Sequence, residues 1–443
     1  MTSTRSRNRR LLNVGLAAVA LLTLSCTESD DGDDAGSGGG DEGGEGGGGA
    51  LTVSGPETGI EADSFQSSLD VFSEESGIDI TYSGSRDFET QIRVAAEGGD
   101  LPDLAVIPQP GLVLELADSI TPVPQETLDA HQDQYDATLF ELVTNEGGDI
   151  LGVPNKGDVK SLVWYSPTVF EENGYEIPET FDDLLALQDQ MRADGITPWC
   201  IGIESGDATG WPLTDWFEDL VLRFHGPDVY DQWVAHEIPF NDPRIVEVGE
   251  LIEQIWFTDG NVLNGRQSIA STGFAQAGLP IVDGQCGMHR QANFYAANFT
   301  DAGVTEFGPD GQVDAFYLPT NSDEFGRVTL TGGTYIVAFN DDPDTLAALE
   351  YMSSPEYANN RIEAGGSGFL SPNQEHDTSL YESPLDQTLA EILVTADPAR
   401  FDGSDAMPPE VGAGTFWSEG TDWVLGSVEL QQFLDNVEGS FPS

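Results

Sequence analysis

The sequence predicts an α/β protein of two lobes, and three observations carry that reading. Residues 51–107 alternate short apolar runs with helical stripes in the order β-α-β-α-β, the signature of a mostly parallel sheet covered by helices. The same alternation resumes beyond residue 160. The stretch from Ala50 to Ser443 is about 390 residues, enough for two lobes with real cores. No repeat of a solenoid or propeller length is visible.

In order along the chain, Leu51-Thr-Val-Ser is a short strand stopped by Gly55-Pro56. Phe65, Leu69 and Phe72 fall at helical spacing within 63–76, and Gly77 ends that helix. Residues 78–82 alternate as a strand. Phe88, Ile92 and Ala96 mark a helix ended by Gly98-Gly99, and 104–107 is an apolar strand. Leu162-Val-Trp-Tyr reads as a strand leaving the first lobe. Thr180-Phe-Asp-Asp opens a helix through a capping box. Asn241-Asp242-Pro243 starts another, with Ile245, Val248, Ile252 and Trp256 on one face. A strand over 330–339 and a helix from Asp342 follow. The chain is expected to cross between lobes more than once, with ligands bound at strand carboxyl ends beside helix N-termini.

Ahead of this body, Arg5, Arg7, Arg9 and Arg10 precede an apolar run, Leu11 to Leu24, too short to span a bilayer but suited to a signal-peptide core. It ends in Leu22-Thr-Leu-Ser-Cys26, which resembles a bacterial lipobox. Residues 1–25 are therefore expected to be a lipoprotein signal peptide and Cys26 the lipidated residue; the alternative is an ordinary secretory signal that contains a cysteine. Asn8-Arg9-Arg10 also faintly resembles a twin-arginine export signal. Residues 26–50 are acidic and glycine-rich with almost no apolar side chain, so they are read as a disordered tether. Their aspartates lack the spacing of an EF-hand loop.

The chain holds 78 Asp and Glu against 16 Lys and Arg, a formal net charge of −62. Lys156 and Lys160 are its only lysines. Such a surface repels nucleic acid and anionic lipid, so both are poor partners. It suits a protein working in high salt, where screening makes like charge tolerable. If Cys26 carries lipid, Cys200 and Cys286 remain as a pair in an oxidising compartment, where a disulfide is expected. Two buried thiols are the alternative.

Reactive centres are missing from the motif inventory. There is no G-x-S-x-G, Walker loop, H-E-x-x-H or strand-linked G-x-G-x-x-G, and the five histidines have no metal-ligand spacing. No metal or cofactor is expected. Carboxylates are so numerous that a glycosidase pair could be drawn anywhere, which deprives that signal of meaning.

Several segments together resemble the extracellular solute-binding proteins of carbohydrate ABC transporters. They are Gly148 to Pro154, Tyr165, Phe170 to Gly174, Pro178 and Thr180 to Leu184, with Phe181 where the family usually has Trp. GGDLPDLAVI at 98–107 matches a further family strand. The stretches PWCIGIESGDATGWPLTDW (198–216) and HRQANF (289–294) resemble the α-glucoside-binding branch.

The resemblance implies a two-lobe periplasmic-binding-protein-like fold, hinged around a ligand cleft. Lobe 1 would comprise 51–157 plus 325–370, and lobe 2 would comprise 160–320 plus 375–443. It implies a monomeric, lipid-anchored sugar receptor on the outer face of the cytoplasmic membrane, partnered with permease subunits and touching the membrane only through its anchor. No covalent chemistry is implied. The alternatives are a receptor for another carbohydrate or a polyol, a secreted glycoside hydrolase, and an acidic surface-layer protein.

Sugar sites pair aromatic faces with carboxylates, amides and arginines that bond hydroxyls. By position in the family pattern, the expected ligand-binding residues of lobe 1 are Glu57, Arg86, Asp87, Gln109 and Asp158. Those of lobe 2 are Glu204, Asp207, Trp211, Arg290, Gln291 and Trp417, and Gly333 would let backbone approach the ligand. Trp199 and Trp216 are expected to be core. Cys200 would tie the 205–210 turn to the 289–291 segment.

Overall fold

The computed structural model describes residues 50–442 except 322, 323, 366 and 367. The expected signal peptide, Cys26 and the tether up to residue 49 lie outside the described residues. The body holds two separate sheets. The first contains β1 (Leu51–Gly55), β2 (Ile80–Gly84), β3 (Leu104–Ile107), β4 (Val153–Val159), β9 (Thr329–Ala338) and β10 (Ala399–Phe401), in the order β10-β9-β3-β1-β2 with β4 also paired to β9. The second runs β6-β7-β5-β8, from β5 (Leu162–Tyr165), β6 (Thr197–Trp199), β7 (Cys286–Arg290) and β8 (Asp314–Tyr317).

Local chemistry explains most boundaries. The first helix, Ile60–Ser76, buries Phe65, Leu69 and Phe72, and Gly77 ends it in the left-handed conformation that glycine adopts without strain. β3 is buried along its whole length because helices and loops cover both faces, hence its unbroken apolar run. β2 begins two residues later than its alternation suggests. Its parallel register with β1, Leu51 opposite Ile80 through Gly55 opposite Gly84, sets the limits. At Thr180 the capping box is complete: the hydroxyl accepts from Asp183 N at 3.1 Å, and the Asp183 carboxylate accepts from Thr180 N at 3.1 Å. Asp242 caps Pro243–Trp256, which buries Ile245, Val248, Ile252 and Trp256.

The chain passes from the first sheet to the second at 160–161, returns between β8 and β9, and leaves the first sheet again after β10. β10 thus adds residues 399–401 to the first sheet. The segments that follow it pack on the helix Trp211–Val234 of the second sheet's body.

Cys200 and Cys286 form a disulfide across 86 positions, their Cα atoms 5.7 Å apart. The parallel pairing of β6 with β7 brings them there. On the chain-entropy model such a loop contributes about 4–5 kcal/mol. Beside it, His289 Nδ1 lies 2.9 Å from the Cys200 carbonyl, while Nε2 is buried without a hydrogen-bond partner among the described residues. The ring is therefore neutral and donates through Nδ1. Burial pushes its pKa down to about 4, the Cys200 carbonyl opposing and Arg290 reinforcing. An unfolded histidine takes up a proton near pH 6.5 that the folded one refuses, so this contribution to stability is present above that pH and lost as pH falls toward 4. The loss amounts to about 3 kcal/mol. Denaturant unfolding across this range should show His289→Gln losing less stability on acidification than the wild type.

Candidate ligand-binding site

A cavity of about 140 Å³ opens between the two sheets. One wall comes from the ends of the first sheet's strands. Glu57 follows β1, Arg86 follows β2, Gln109 follows β3, and Asp158 lies near the end of β4. The other wall carries Trp211, at the start of its helix, and Trp417, near the start of Phe416–Leu425. Gly333 also lines it. A side chain there would collide with the Lys156 carbonyl, so the strand pairing of β4 with β9 itself requires this glycine. These seven of the expected positions line one cavity.

The remaining expected residues stand apart from the lining. Arg290 is buried behind the wall: its alternation on β7 turns it toward the helix Trp211–Val234, where it pairs with Asp219 at 2.8 Å and lies 3.5 Å from Asp215. Gln291 folds its side-chain carbonyl onto Ala292 N at 2.9 Å. Asp87, Glu204 and Asp207 are exposed at the rim. Glu204 accepts from Gly206 N at 3.0 Å and so shapes the turn. Gly206 has φ 59, and a Cβ on it would lie 2.6 Å from Asp87 Oδ1, so the turn packs directly on Asp87. Trp199 and Trp216 are core, their ring centroids 5.3 Å apart.

Sequence reasoning missed Glu61, Glu89, Lys156, Lys160, Phe274, Phe294, Asp402, Ser404 and Asp405, all of which line the cavity. Both lysines of this acid-rich chain are there. Lys156 Nζ bonds Glu61 at 3.1 Å and lies 3.6 Å from Glu57, which Arg361 also binds at 3.1 Å. Burial opposes the Lys156 charge, but Glu61, Asp158 and Glu57 outweigh it and hold the ammonium above the ordinary lysine range. Asp158 is pushed up by burial, which Lys156 and Lys160 only partly offset.

Lys160 lies between Asp215, at 2.9 Å, and Asp402. Burial opposes the ionised form of Asp402, yet Lys160 and hydrogen bonds from Ser404 and Asp405 N keep its carboxyl below the usual range. Asp405 is raised well above that range by burial and by Asp402. Asp215, Glu218 and Asp402 each bring an oxygen within 4.8 Å of the others. The Lys160 ammonium pairs with two of the three, Asp215 and Asp402.

Among the described residues, four buried polar atoms of the lining make no hydrogen bond: Gln109 Oε1, Asp158 Oδ1, Trp417 Nε1 and Glu57 Oε1, the last with only the Lys156 ammonium 3.6 Å away. Buried groups normally find partners, so these three acceptors and one donor are aimed at something that hydrogen-bonds. Beside them sit Trp211, Phe274 and Phe294. Each ring already has a protein cation nearby: Lys160 5.8 Å from Trp211, Arg86 5.0 Å from Phe274 and Lys156 5.3 Å from Phe294. The cavity thus combines apolar faces, hydrogen-bonding atoms and charges that are largely spoken for.

The sequence matches the model of the family described as bacterial extracellular solute-binding protein over residues 58–359. The chain is 38% identical over 401 residues to the osmoprotective compounds-binding protein GgtB of Synechocystis sp., covering 88% of this chain and 92% of that protein. It is also 38% identical over 395 residues to the alpha-glucosides-binding periplasmic protein AglE of Rhizobium meliloti, covering 85% and 83%. Among solved structures, the bacterial solute receptor AcbH superposes with a TM-score of 0.75 at 17% identity, covering 89% of this chain and 97% of that one. The solute-binding protein RafE in complex with raffinose gives 0.69 at 17%, covering 88% and 98%. These establish the two-lobe periplasmic-binding fold. The family match over most of the body, together with two relatives of this identity and coverage, places the chain among the bacterial extracellular solute-binding proteins.

Proposed function

We propose that this protein is an extracytoplasmic sugar receptor that captures an α-glucoside or similar small saccharide and delivers it to an ABC transporter permease. The observation that carries the reading is the set of buried atoms without a hydrogen bond among the described residues, Glu57 Oε1, Gln109 Oε1, Asp158 Oδ1 and Trp417 Nε1, beside the face of Trp211. A pyranoside supplies hydroxyls to the first three, an oxygen to the indole N–H, and a C–H face to the ring. Arg86 and Gly333 complete its surroundings. Identity to AglE supports an α-glucoside. Identity to GgtB supports a second reading within the same site, a polyol or other osmoprotective compound. The acid-rich lining disfavours anionic sugars.

Lobe 1 takes residues 51–157 and 325–370, supplemented by β10, and lobe 2 takes 160–320 and the rest of 375–443. The protein is anchored through lipidated Cys26 by its acidic tether, acts as a monomer, and does no covalent chemistry. A ligand that favours the closed arrangement of the lobes marks the loaded receptor for the permease. A thermal-shift screen in high salt against trehalose, sucrose, maltose, glucose and polyols tests this. One of these ligands should raise the melting temperature and be recovered unchanged. Cleavage of any glycoside, or no shift with all of them, contradicts it.

A further inference from the structure

The lysine at the crossing between the sheets is placed to do more than balance charge. Lys160 follows β4 directly, and β5 begins two residues later in the other sheet. Its backbone N donates to the Leu330 carbonyl of β9 at 2.8 Å. The next residue, Ser161, accepts from Leu330 N at 2.9 Å and donates to Asp219 at 3.0 Å. The crossing is therefore pinned at one position of β9. Its side chain passes over Gly332, where a Cβ would lie 2.6 Å from Lys160 Cε, and ends inside the cavity wall.

There the ammonium joins two segments that each carry a wall residue. Asp215 sits one turn into the helix that begins with Trp211. Asp402 leads from β10 into the short helix Gly403–Ala406, which contains Asp405. We propose that Lys160 is a positioning residue for ligand capture, its ammonium drawing the Trp211 and Asp405 walls together at the crossing between the lobes. This rests on the cavity being the ligand site.

The charges around it make the idea testable. From the helix Trp211–Val234 the ammonium is faced by Asp215 and Glu218, with Asp219 and Arg223 behind. The segment after β10 presents Asp402 and Asp405, and β7 presents Arg290. Asp158 and Lys156 face it from its own strand, and Glu89 approaches Asp405 from the opposite wall. Tyr230 donates to the Phe401 carbonyl nearby. Glu218 also ties the two segments, accepting from Gly403 N at 2.8 Å and Ser404 N at 3.1 Å, but without the ammonium the carboxylates of Asp215 and Asp402 repel each other and shift the walls unless a proton replaces it. Burial and Asp402 already raise Asp215 to about 6 against the pull of Lys160 and Arg290.

The experiment measures dissociation constants for the best saccharide of the screen, with circular dichroism, between about pH 5.5 and 8, for wild type, Lys160→Met and the double variant Lys160→Met/Asp402→Asn. Wild-type affinity should be nearly flat. Lys160→Met should bind about tenfold more weakly or worse at the alkaline end and recover most of that loss at the acid end. The double variant loses cation and carboxylate together, so it should stay folded throughout and show little recovery. A pH-independent loss in Lys160→Met, or unchanged affinity, overturns the proposal. A wild type that binds no saccharide overturns the receptor reading, and this inference with it.

Discussion

Replacing Lys156 by methionine is expected to destabilise the protein by about 3–5 kcal/mol at neutral pH. The substitution keeps the apolar stem but removes the ammonium that Glu61 and Glu57 share, leaving Arg361 as the partner of Glu57 alone. Glu61 and Asp158, both already raised by burial, would then lose the cation that most favours their ionised forms. Because protonation relieves an unpaired carboxylate, the penalty should shrink as pH falls toward 5. Adding Glu61→Gln should recover part of it at pH 7. Chemical denaturation of the two single variants and the double variant gives the coupling directly. A Lys156→Met protein as stable as wild type at pH 7 would mean that this cluster is solvated, contrary to its burial.

The second large effect belongs to Trp211. Its ring packs edge-on to Phe274, centroids 5.1 Å apart, and remains partly exposed to the cavity. Trp211→Ala removes the proposed stacking face and should weaken saccharide binding by roughly 10–100-fold, corresponding to about 1.4–2.8 kcal/mol. Trp199 and Trp216 provide the contrast. Both are buried in the second lobe's core, so Trp216→Ala should cost about 3–5 kcal/mol of stability. Calorimetric titration beside thermal melts separates the two effects. Trp211→Ala with wild-type affinity would remove the stacking platform from the account.

Much of the fold was legible because its elements obey local rules. LAVI and LVWY are strands at their expected limits, since both are buried on both faces and need no alternation. Gly77 and the Thr180 box mark helix ends by backbone chemistry that is visible in the sequence. β10 was not legible. Three residues cannot establish a period, and only pairing with β9 makes a strand of them.

The site divides in the same way. Glu57, Gln109 and Asp158 could be found because they fall at or just beyond strand ends, where open sheets place ligands. Arg290 lies on a strand, but which face it presents depends on a partner helix that no local pattern reveals. Asp402 and Asp405 reach the cavity only through the unforeseen β10. The lysines did leave a signal: two in a chain of net charge −62 are more readily explained as internal counter-ions than as surface residues.

The most direct test of the central claim is a crystal structure of the protein grown with the tightest-binding saccharide. It should show an intact sugar ring against Trp211, with hydroxyls within hydrogen-bond distance of Glu57 Oε1, Gln109 Oε1 and Asp158 Oδ1. A saccharide bound elsewhere, or one that leaves those three oxygens unpartnered, would contradict the account.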